Sequence, residues 1–156
     1  MLTWIPLAAA ALHIAEEFVW PGGFAAWYRQ TRPAIARSVS ARYLVIVNAV
    51  LLGVCALAGV LGFTPRGAAL FLTILAVLFG NAIFHLAATI RLRRYSPGVV
   101  TGVLLYLPLG VYGYSAVLSA HLASIETAIA AAILGGAYQT ISVANHRRRA
   151  ARFLGS

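Results

Sequence analysis

Charge is scarce in this sequence, and some kinds of charge are absent. Only 10% of the 156 residues are charged, there is no lysine or aspartate, and the acidic residues are Glu16, Glu17 and Glu126. Soluble domains carry about 25% charged residues, so this chain has too little polar surface to cover a water-soluble core. A soluble enzyme, a disordered chain and a nucleic-acid-binding module are all disfavoured, and the composition indicates a membrane protein.

Cysteine is nearly absent as well. Cys55 is the single cysteine and lies within an apolar segment, so it can form no disulfide within the chain and indicates no redox compartment. We interpret it as a packing residue. The apolar N-terminal segment has no basic residues before it and contains His13, Glu16 and Glu17, so we do not expect a cleaved signal peptide.

Long apolar segments take the place of the missing charge. A helix needs about 20 apolar residues to cross a bilayer, and five segments approach that length. The sequence therefore predicts an all-α, polytopic membrane helical bundle with five transmembrane helices, forming a single membrane domain over residues 1–156. The predicted spans are residues 2–20, 43–62, 67–90, 99–120 and 125–145.

The basic residues are all arginines, clustered in the connections between these segments and after the fifth one. Their clustering explains the net charge of +9 without nucleic acid. Arg66 lies alone on one side of the predicted bundle, and the positive-inside rule then places the N-terminus outside and the C-terminus in the cytoplasm. We expect an integral, multi-pass protein of a bacterial-type cytoplasmic membrane. The arginines on the opposite side are Arg29, Arg32, Arg37, Arg42, Arg91, Arg93, Arg94, Arg147, Arg148, Arg149 and Arg152.

The connection over residues 21–42 is too polar to span the membrane and too apolar for a free loop. It carries Trp27, Tyr28 and Ile35 among its arginines. Such a mixture is typical of a segment that lies in the membrane interface, here on the cytoplasmic side. The segment is either a plain anchor or a lid over a site.

Ionisable residues inside a span are costly, about 2.5 to 3.5 kcal/mol each on insertion scales. The first span nevertheless contains His13, Glu16 and Glu17, which share one face of a helix. Two adjacent buried carboxylates repel each other unless they share a cation or a proton. We therefore interpret this cluster as functional. The alternative is a set of neutral hydrogen-bonding groups that hold helices together.

Polar residues on other spans lie at a similar depth. At about 1.5 Å of rise per residue, His13, Asn48, His85 and Gln139 each lie roughly 9 to 12 Å from the cytoplasmic end of their span. The reference residues for these depths are Trp20, Arg42, Arg91 and Arg147. The agreement predicts one polar cavity in the cytoplasmic half of the bundle.

Three short motifs follow one another along the chain. They are His13-Ile14-Ala15-Glu16-Glu17, then Asn81-Ala82-Ile83-Phe84-His85, then Tyr95-Ser96-Pro97-Gly98. In this order they resemble the HXXEE family of small integral membrane proteins, with its HXXEE, NXXXH and YXPG motifs. The resemblance implies an enzyme of unknown activity and names no substrate. The positions it implies to be functional are His13, Glu16, Glu17, Asn81, His85, Tyr95, Pro97 and Gly98.

The candidate site residues fall into two groups. The catalytic candidates are His13, Glu16, Glu17, Asn81 and His85. The substrate-binding candidates are Asn48, Tyr95, Pro97, Gly98, Thr101, Tyr106, Gln139 and Ser142.

The leading hypothesis is an intramembrane enzyme that acts on a hydrophobic or amphiphilic small molecule reached from the cytoplasmic leaflet. In one chemistry His13, Glu16, Glu17 and His85 bind a divalent metal, zinc or iron, for a hydrolase-like or oxidoreductase-like reaction. In the other no metal binds, and a carboxyl group and a histidine act as acid and base for isomerisation or cyclisation. A transporter or lipid-binding protein, or an accessory subunit, remains an alternative, and the oligomeric state is open.

Overall fold

The computed structural model describes residues 1–19, 22–36 and 39–152. Trp20, the reference for the depth of His13, and Arg37, one of the clustered arginines, lie outside the described residues. So do Pro21, Ser38, residues 153–156, and the side chains at positions 34, 35, 149, 150 and 152, which include that of Ile35.

Within these ranges the protein is helical and contains no strand. A 3₁₀ turn at Leu2–Trp4 leads directly into the first helix. The helices are α1 (Ile5–Val19), α2 (Phe24–Thr31), α3 (Pro33–Ala36), α4 (Ala41–Leu61), α5 (Pro65–Leu92), α6 (Val99–Ser119) and α7 (Ile125–Arg152).

In this described part of the chain, five helices are long and apolar enough to cross a membrane: α1 with its preceding turn, α4, α5, α6 and α7. This result confirms the all-α prediction and the number of candidate spans, as expected of a multi-pass membrane protein. Side-chain caps fix several helix starts. The backbone N–H of Tyr43 donates to Ser40 Oγ, that of Gly67 to Thr64 Oγ1 and that of Thr127 to Ser124 Oγ.

Helix α5 is the centre of the bundle and packs against α4, α6 and α7. Its buried face includes Phe71, Leu72 and Leu75. Helix α7 approaches it closely at Gly135, where an added Cβ atom would lie 2.4 Å from the Cβ of Ala76. Large apolar side chains such as Val60, 74% exposed, cover the outside of the bundle. A surface of this kind suits lipid rather than water.

Helix α6 is irregular in its first half. Residues Gly102–Tyr106 form a π-helical segment in which the N–H of Leu107 donates to the carbonyl of Gly102. Pro108 follows immediately and has no N–H to donate to the preceding turn. Single π-helical turns are frequent at functional sites, and here the segment ends at Tyr106, whose buried ring lies 4.5 Å from that of His13.

The connection between α1 and α4 contains α2 and α3, and its described residues pack on the bundle. Trp27 and Tyr28 are buried, only 8% and 3% exposed, and form a cluster with Val39 and with Ala88 of α5. Phe24 completes this layer and its ring lies 5.5 Å from the ring of His85. The aromatic residues of α2 therefore cover part of the polar region between the long helices.

Candidate functional site

Three predicted residues come together in the interior: His13 and Glu17 of α1 and His85 of α5. Glu17 Oε1 lies 3.6 Å from His13 Nε2 and 3.2 Å from His85 Nε2. His13 and Glu17 are one helical turn apart, so α1 presents both to α5. One ligand atom from each of the three residues lies within 4.8 Å of the others.

These three side chains are buried and poorly paired. His13, Glu17 and His85 are 3%, 8% and 0% exposed. Although the Nε2 atoms lie near Glu17, neither contact has hydrogen-bond geometry, and neither nitrogen has another partner among the described residues. A buried carboxylate is unfavourable unless it is compensated. The cluster therefore suits a shared proton or a bound cation.

Glu16, adjacent in sequence, lies in a different environment. Its Oε1 accepts from the backbone N–H of Gly98 at 3.0 Å and of Val100 at 3.1 Å, and its Oε2 accepts from the N–H of Thr101 at 2.8 Å. The hydroxyl groups of Tyr95 and Thr101 also donate to this carboxylate. An acceptor that receives so many hydrogen bonds is the ionised form. The N–H groups belong to the start of α6, where a negative charge is favoured.

The predicted four-residue metal set is thus divided in two. His13, Glu17 and His85 form the cluster, whereas Glu16 pairs with the turn that precedes α6 and with the first turn of that helix. The two carboxylates do not share one cation site in this arrangement.

A hydrogen-bonded chain nevertheless connects Glu16 to the cluster. His13 Nδ1 lies 2.8 Å from Thr101 Oγ1. Thr101 has one hydroxyl proton, which it donates to Glu16, so its oxygen accepts from the Nδ1–H of His13. In the neutral imidazole, that assignment leaves His13 Nε2 without a proton and near Glu17, as a metal-ligating imidazole requires.

His85 is held in a related way. Its Nδ1 lies 3.0 Å from Ser96 Oγ, and the backbone N–H of Ser96 donates to Thr89 Oγ1 at 3.2 Å. Ser96 occupies the unspecified position of the YXPG motif, so the sequence interpretation missed it. Its place inside that motif was the available signal.

The YXPG turn packs directly on α1. Pro97 is fully buried. Gly98 has a φ of 97°, and an added Cβ atom would lie 2.7 Å from His13 Cε1 and 3.2 Å from Glu17 Cγ. Glycine is therefore required both by the backbone conformation and by the space available. Burial and then the hydrogen bond to Glu16 raise the pKa of the Tyr95 hydroxyl, which remains a donor at neutral pH.

Two neighbouring chambers, which share several lining residues, adjoin the cluster. The first, which we call the apolar chamber, has a volume of about 400 Å³ and lies between α1, α4, α5 and α7. The second, which we call the polar chamber, has a volume of about 100 Å³ and lies beneath α2. Among the predicted site residues, those that line both chambers are Glu17, Asn48, Asn81 and Gln139.

The remaining predicted residues are distributed around these chambers. His13 and Tyr106 line the apolar chamber. Ser142 lines the polar chamber together with Phe24, Tyr28 and His146. The sequence interpretation did not propose Phe24, because an aromatic residue in a connecting segment gives no sign of where it packs. Tyr95, Pro97, Gly98 and Thr101 line neither chamber. Tyr95, Gly98 and Thr101 donate hydrogen bonds to Glu16, and Thr101 also contacts His13.

Comparison with known proteins agrees with the motifs. A family model described as "Protein of unknown function with HXXEE motif" matches residues 4–113. The chain belongs to the HXXEE family. The match to this HXXEE protein includes α1, the cluster and the YXPG turn, and it ends before α7. Searches of curated proteins and of solved structures found no significant match.

Proposed function

We propose that this HXXEE protein is an intramembrane enzyme that binds one divalent metal ion, zinc or iron, through His13 Nε2, His85 Nε2 and the Glu17 carboxylate. The proposal depends on one observation: these ligand atoms converge within 4.8 Å in a buried place. Two histidines and one carboxylate form a ligand set typical of catalytic zinc and of non-haem iron. When bound, such a metal polarises a substrate oxygen or activates water.

The protein's own side chains prepare this site. Thr101, backed by ionised Glu16, holds His13 with its Nε2 atom unprotonated towards the cluster. Ser96 holds the other histidine, His85, through its Nδ1 atom. Glu17 supplies the negative charge that offsets part of the charge of a cation. Partners of this kind orient metal ligands and increase their basicity.

The surroundings support a lipid-soluble substrate reached from the cytoplasmic leaflet. The apolar chamber adjoins His13 and Glu17. We assign its side of the bundle to the cytoplasm because all arginines but Arg66 lie at that end, in or next to the connections or in the C-terminal part of α7. In this topology the N-terminus is outside, the C-terminus is cytoplasmic, and α2 and α3 lie in the cytoplasmic interface of a bacterial-type membrane.

Metal analysis of the purified protein tests the proposal. The protein is stripped with a chelator, reloaded with zinc or ferrous iron, dialysed and analysed for metal content. We expect one metal per chain in the wild type and in the control His121→Ala, which alters an exposed histidine. His85→Ala should retain almost none. A wild-type protein that retains no stoichiometric metal, or a His85→Ala variant that retains it, contradicts the proposal.

A second measurement separates enzyme from transporter. Membranes that contain the wild type or His85→Ala are incubated with a lipid extract, and the lipids are analysed by mass spectrometry. We expect a lipid that is chemically altered only by the wild type. Unaltered lipid that is merely redistributed indicates transport. An active protein that is free of metal indicates acid–base catalysis by Glu17 and the histidines.

A further inference from the structure

The apolar chamber has an uneven lining. Most of its wall is aliphatic. Asn48, Asn81 and Gln139 line the part that it shares with the polar chamber and Glu17, and the Tyr106 ring lies 4.5 Å from that of His13. The aliphatic lining includes Ile46, Val50, Leu51, Val54, Ile74 and Leu78, and the polar lining includes Asn48, Asn81, Tyr106 and Gln139. A molecule that fits this lining is largely hydrocarbon and carries its polar group at the end next to Glu17.

Three atoms of that polar lining are shielded from solvent and have no hydrogen-bond partner in the described part of the protein. They are Asn48 Nδ2, Asn81 Oδ1 and the hydroxyl of Tyr106. Tyr106 is only 1% exposed. Buried polar groups are nearly always paired, so these atoms favour an occupant that supplies both a donor and an acceptor. A hydroxyl group does so, because it donates to Asn81 and accepts from Asn48.

The lining also disfavours an anionic head group. It contains no arginine, and its acidic residue is Glu17. A phosphate bound there would meet a carboxylate rather than a basic partner, although recognition of phosphate usually relies on arginine or lysine. An uncharged alcohol avoids that repulsion.

The chamber is accessible from the side of the bundle. Ile46 and Val50 of α4 and Tyr138 of α7 line it, and these residues are 52%, 61% and 40% exposed. Helices α4 and α7 each pack on α5 more than on each other. In a bilayer, residues exposed on these two helices would face lipid, so we assign the gap between the helices as the route from the bilayer to the chamber.

From these observations we infer that the apolar chamber binds an uncharged long-chain alcohol, which enters sideways between α4 and α7. Its hydroxyl group lies among Asn48, Asn81 and Tyr106, and its hydrocarbon part occupies the aliphatic end. This inference names the substrate class of the proposed enzyme. It rests on that proposal for the position of the hydroxyl beside the metal ligands. Binding of the alcohol itself requires no metal.

Photo-crosslinking in lipid nanodiscs tests the inference. The probe is a long-chain alcohol that carries a diazirine on its chain, and it is compared with the same diazirine hydrocarbon without the hydroxyl and with the phosphate monoester of the alcohol. We expect the alcohol to label peptides of α4 and α7 at the chamber, at least about 10-fold more than either analogue. This ratio corresponds to about 1.4 kcal/mol of selectivity.

Variants locate the labelling. Leu51→Trp fills the chamber and should abolish labelling, whereas Val60→Trp, on the exposed outer face of the same helix, should retain it. Asn81→Leu should reduce labelling by the alcohol to the level of the hydrocarbon. Tyr106→Phe removes a single oxygen and should reduce labelling by the alcohol several-fold. This variant keeps the test informative if Asn81→Leu does not fold.

Several outcomes contradict the inference: labelling by the hydrocarbon as strong as by the alcohol, preferential labelling by the phosphate ester, or full labelling of Leu51→Trp. The experiment is repeated with wild-type protein that a chelator has stripped of metal, where we expect unchanged labelling. If the metal proposal alone fails, labelling persists while metal content is absent. If the alcohol inference alone fails, metal content persists while labelling is lost.

Discussion

Glu16 and Glu17 are neighbours on one helix, yet they lie in opposite kinds of environment. Glu16 receives hydrogen bonds from three backbone N–H groups and from the hydroxyls of Tyr95 and Thr101. Glu17 faces the unpaired Nε2 atoms of His13 and His85. Consecutive helical residues point about 100° apart, so one carboxylate faces α6 and the other faces α5. The first is fully paired by the protein, whereas the second still requires a cation or a proton.

The largest effect on metal binding should follow from Glu17→Gln. The variant keeps the size of the side chain and removes the negative charge from the cluster. We expect the affinity for zinc, measured by competition with a chelating dye, to fall by more than about 100-fold, because loss of an outer partner alone costs about 10- to 100-fold. Glu126→Gln, at an exposed acidic residue of α7, serves as the control and should bind like the wild type.

Glu16→Gln should have a smaller effect on the same assay. The amide cannot accept hydrogen bonds at both positions that the carboxylate oxygens occupy, so Thr101 loses its fixed acceptor and no longer orients His13. We expect zinc affinity to fall by about 10- to 100-fold. Equal losses in Glu16→Gln and Glu17→Gln would mean that both carboxylates bind the metal, and would remove the contrast between the two environments.

Gly98→Ala tests the place where the two environments meet. The N–H of Gly98 donates to Glu16, and its Cα faces His13 and Glu17. A side chain at its φ of 97° costs about 1 to 2 kcal/mol, and the new Cβ also displaces the imidazole. We expect the free energy of unfolding, measured by titration with a denaturing detergent, to fall by about this amount. We also expect zinc to bind more weakly.

The matched control for this change is Gly136→Ala. Gly136 lies in α7, and an added Cβ atom there meets nothing within 4 Å. Alanine is the better helix former by roughly 0.5 to 1 kcal/mol. The control should therefore be neutral or slightly stabilising. Similar losses in both variants would indicate a general effect of replacing glycine rather than a requirement at the YXPG turn.

The sequence alone predicts the framework of this molecule well, because apolar length and helix breakers act locally. It also indicates that His13 and His85 lie at one depth, since the rise along a helix is fixed. It does not separate Glu16 from Glu17, because that separation depends on how α6 approaches α1 through the turn at Gly98. Nor does it reveal Ser96 or Phe24 as neighbours of His85, since both contacts depend on how connecting segments pack.

The smallest effect should come from Tyr95→Phe, which removes one of the donors to Glu16 and leaves the others in place. Tyr95 is partly exposed, so we expect a loss of about 1 kcal/mol or less in unfolding free energy and little change in zinc affinity.

The pH dependence of stability is the specific test of this variant. Burial and then Glu16 raise the pKa of Tyr95 in the folded state, so the folded protein retains this proton more strongly than the unfolded chain does. The stabilisation is therefore complete below the unfolded pKa of about 10 and declines as the pH rises above it. The difference in stability between the wild type and Tyr95→Phe should narrow above that pH. Tyr112→Phe, at an exposed tyrosine of α6, is the control. If the difference in stability between the wild type and Tyr95→Phe stays constant up to strongly alkaline pH, Tyr95 does not depend on its proton to hold Glu16.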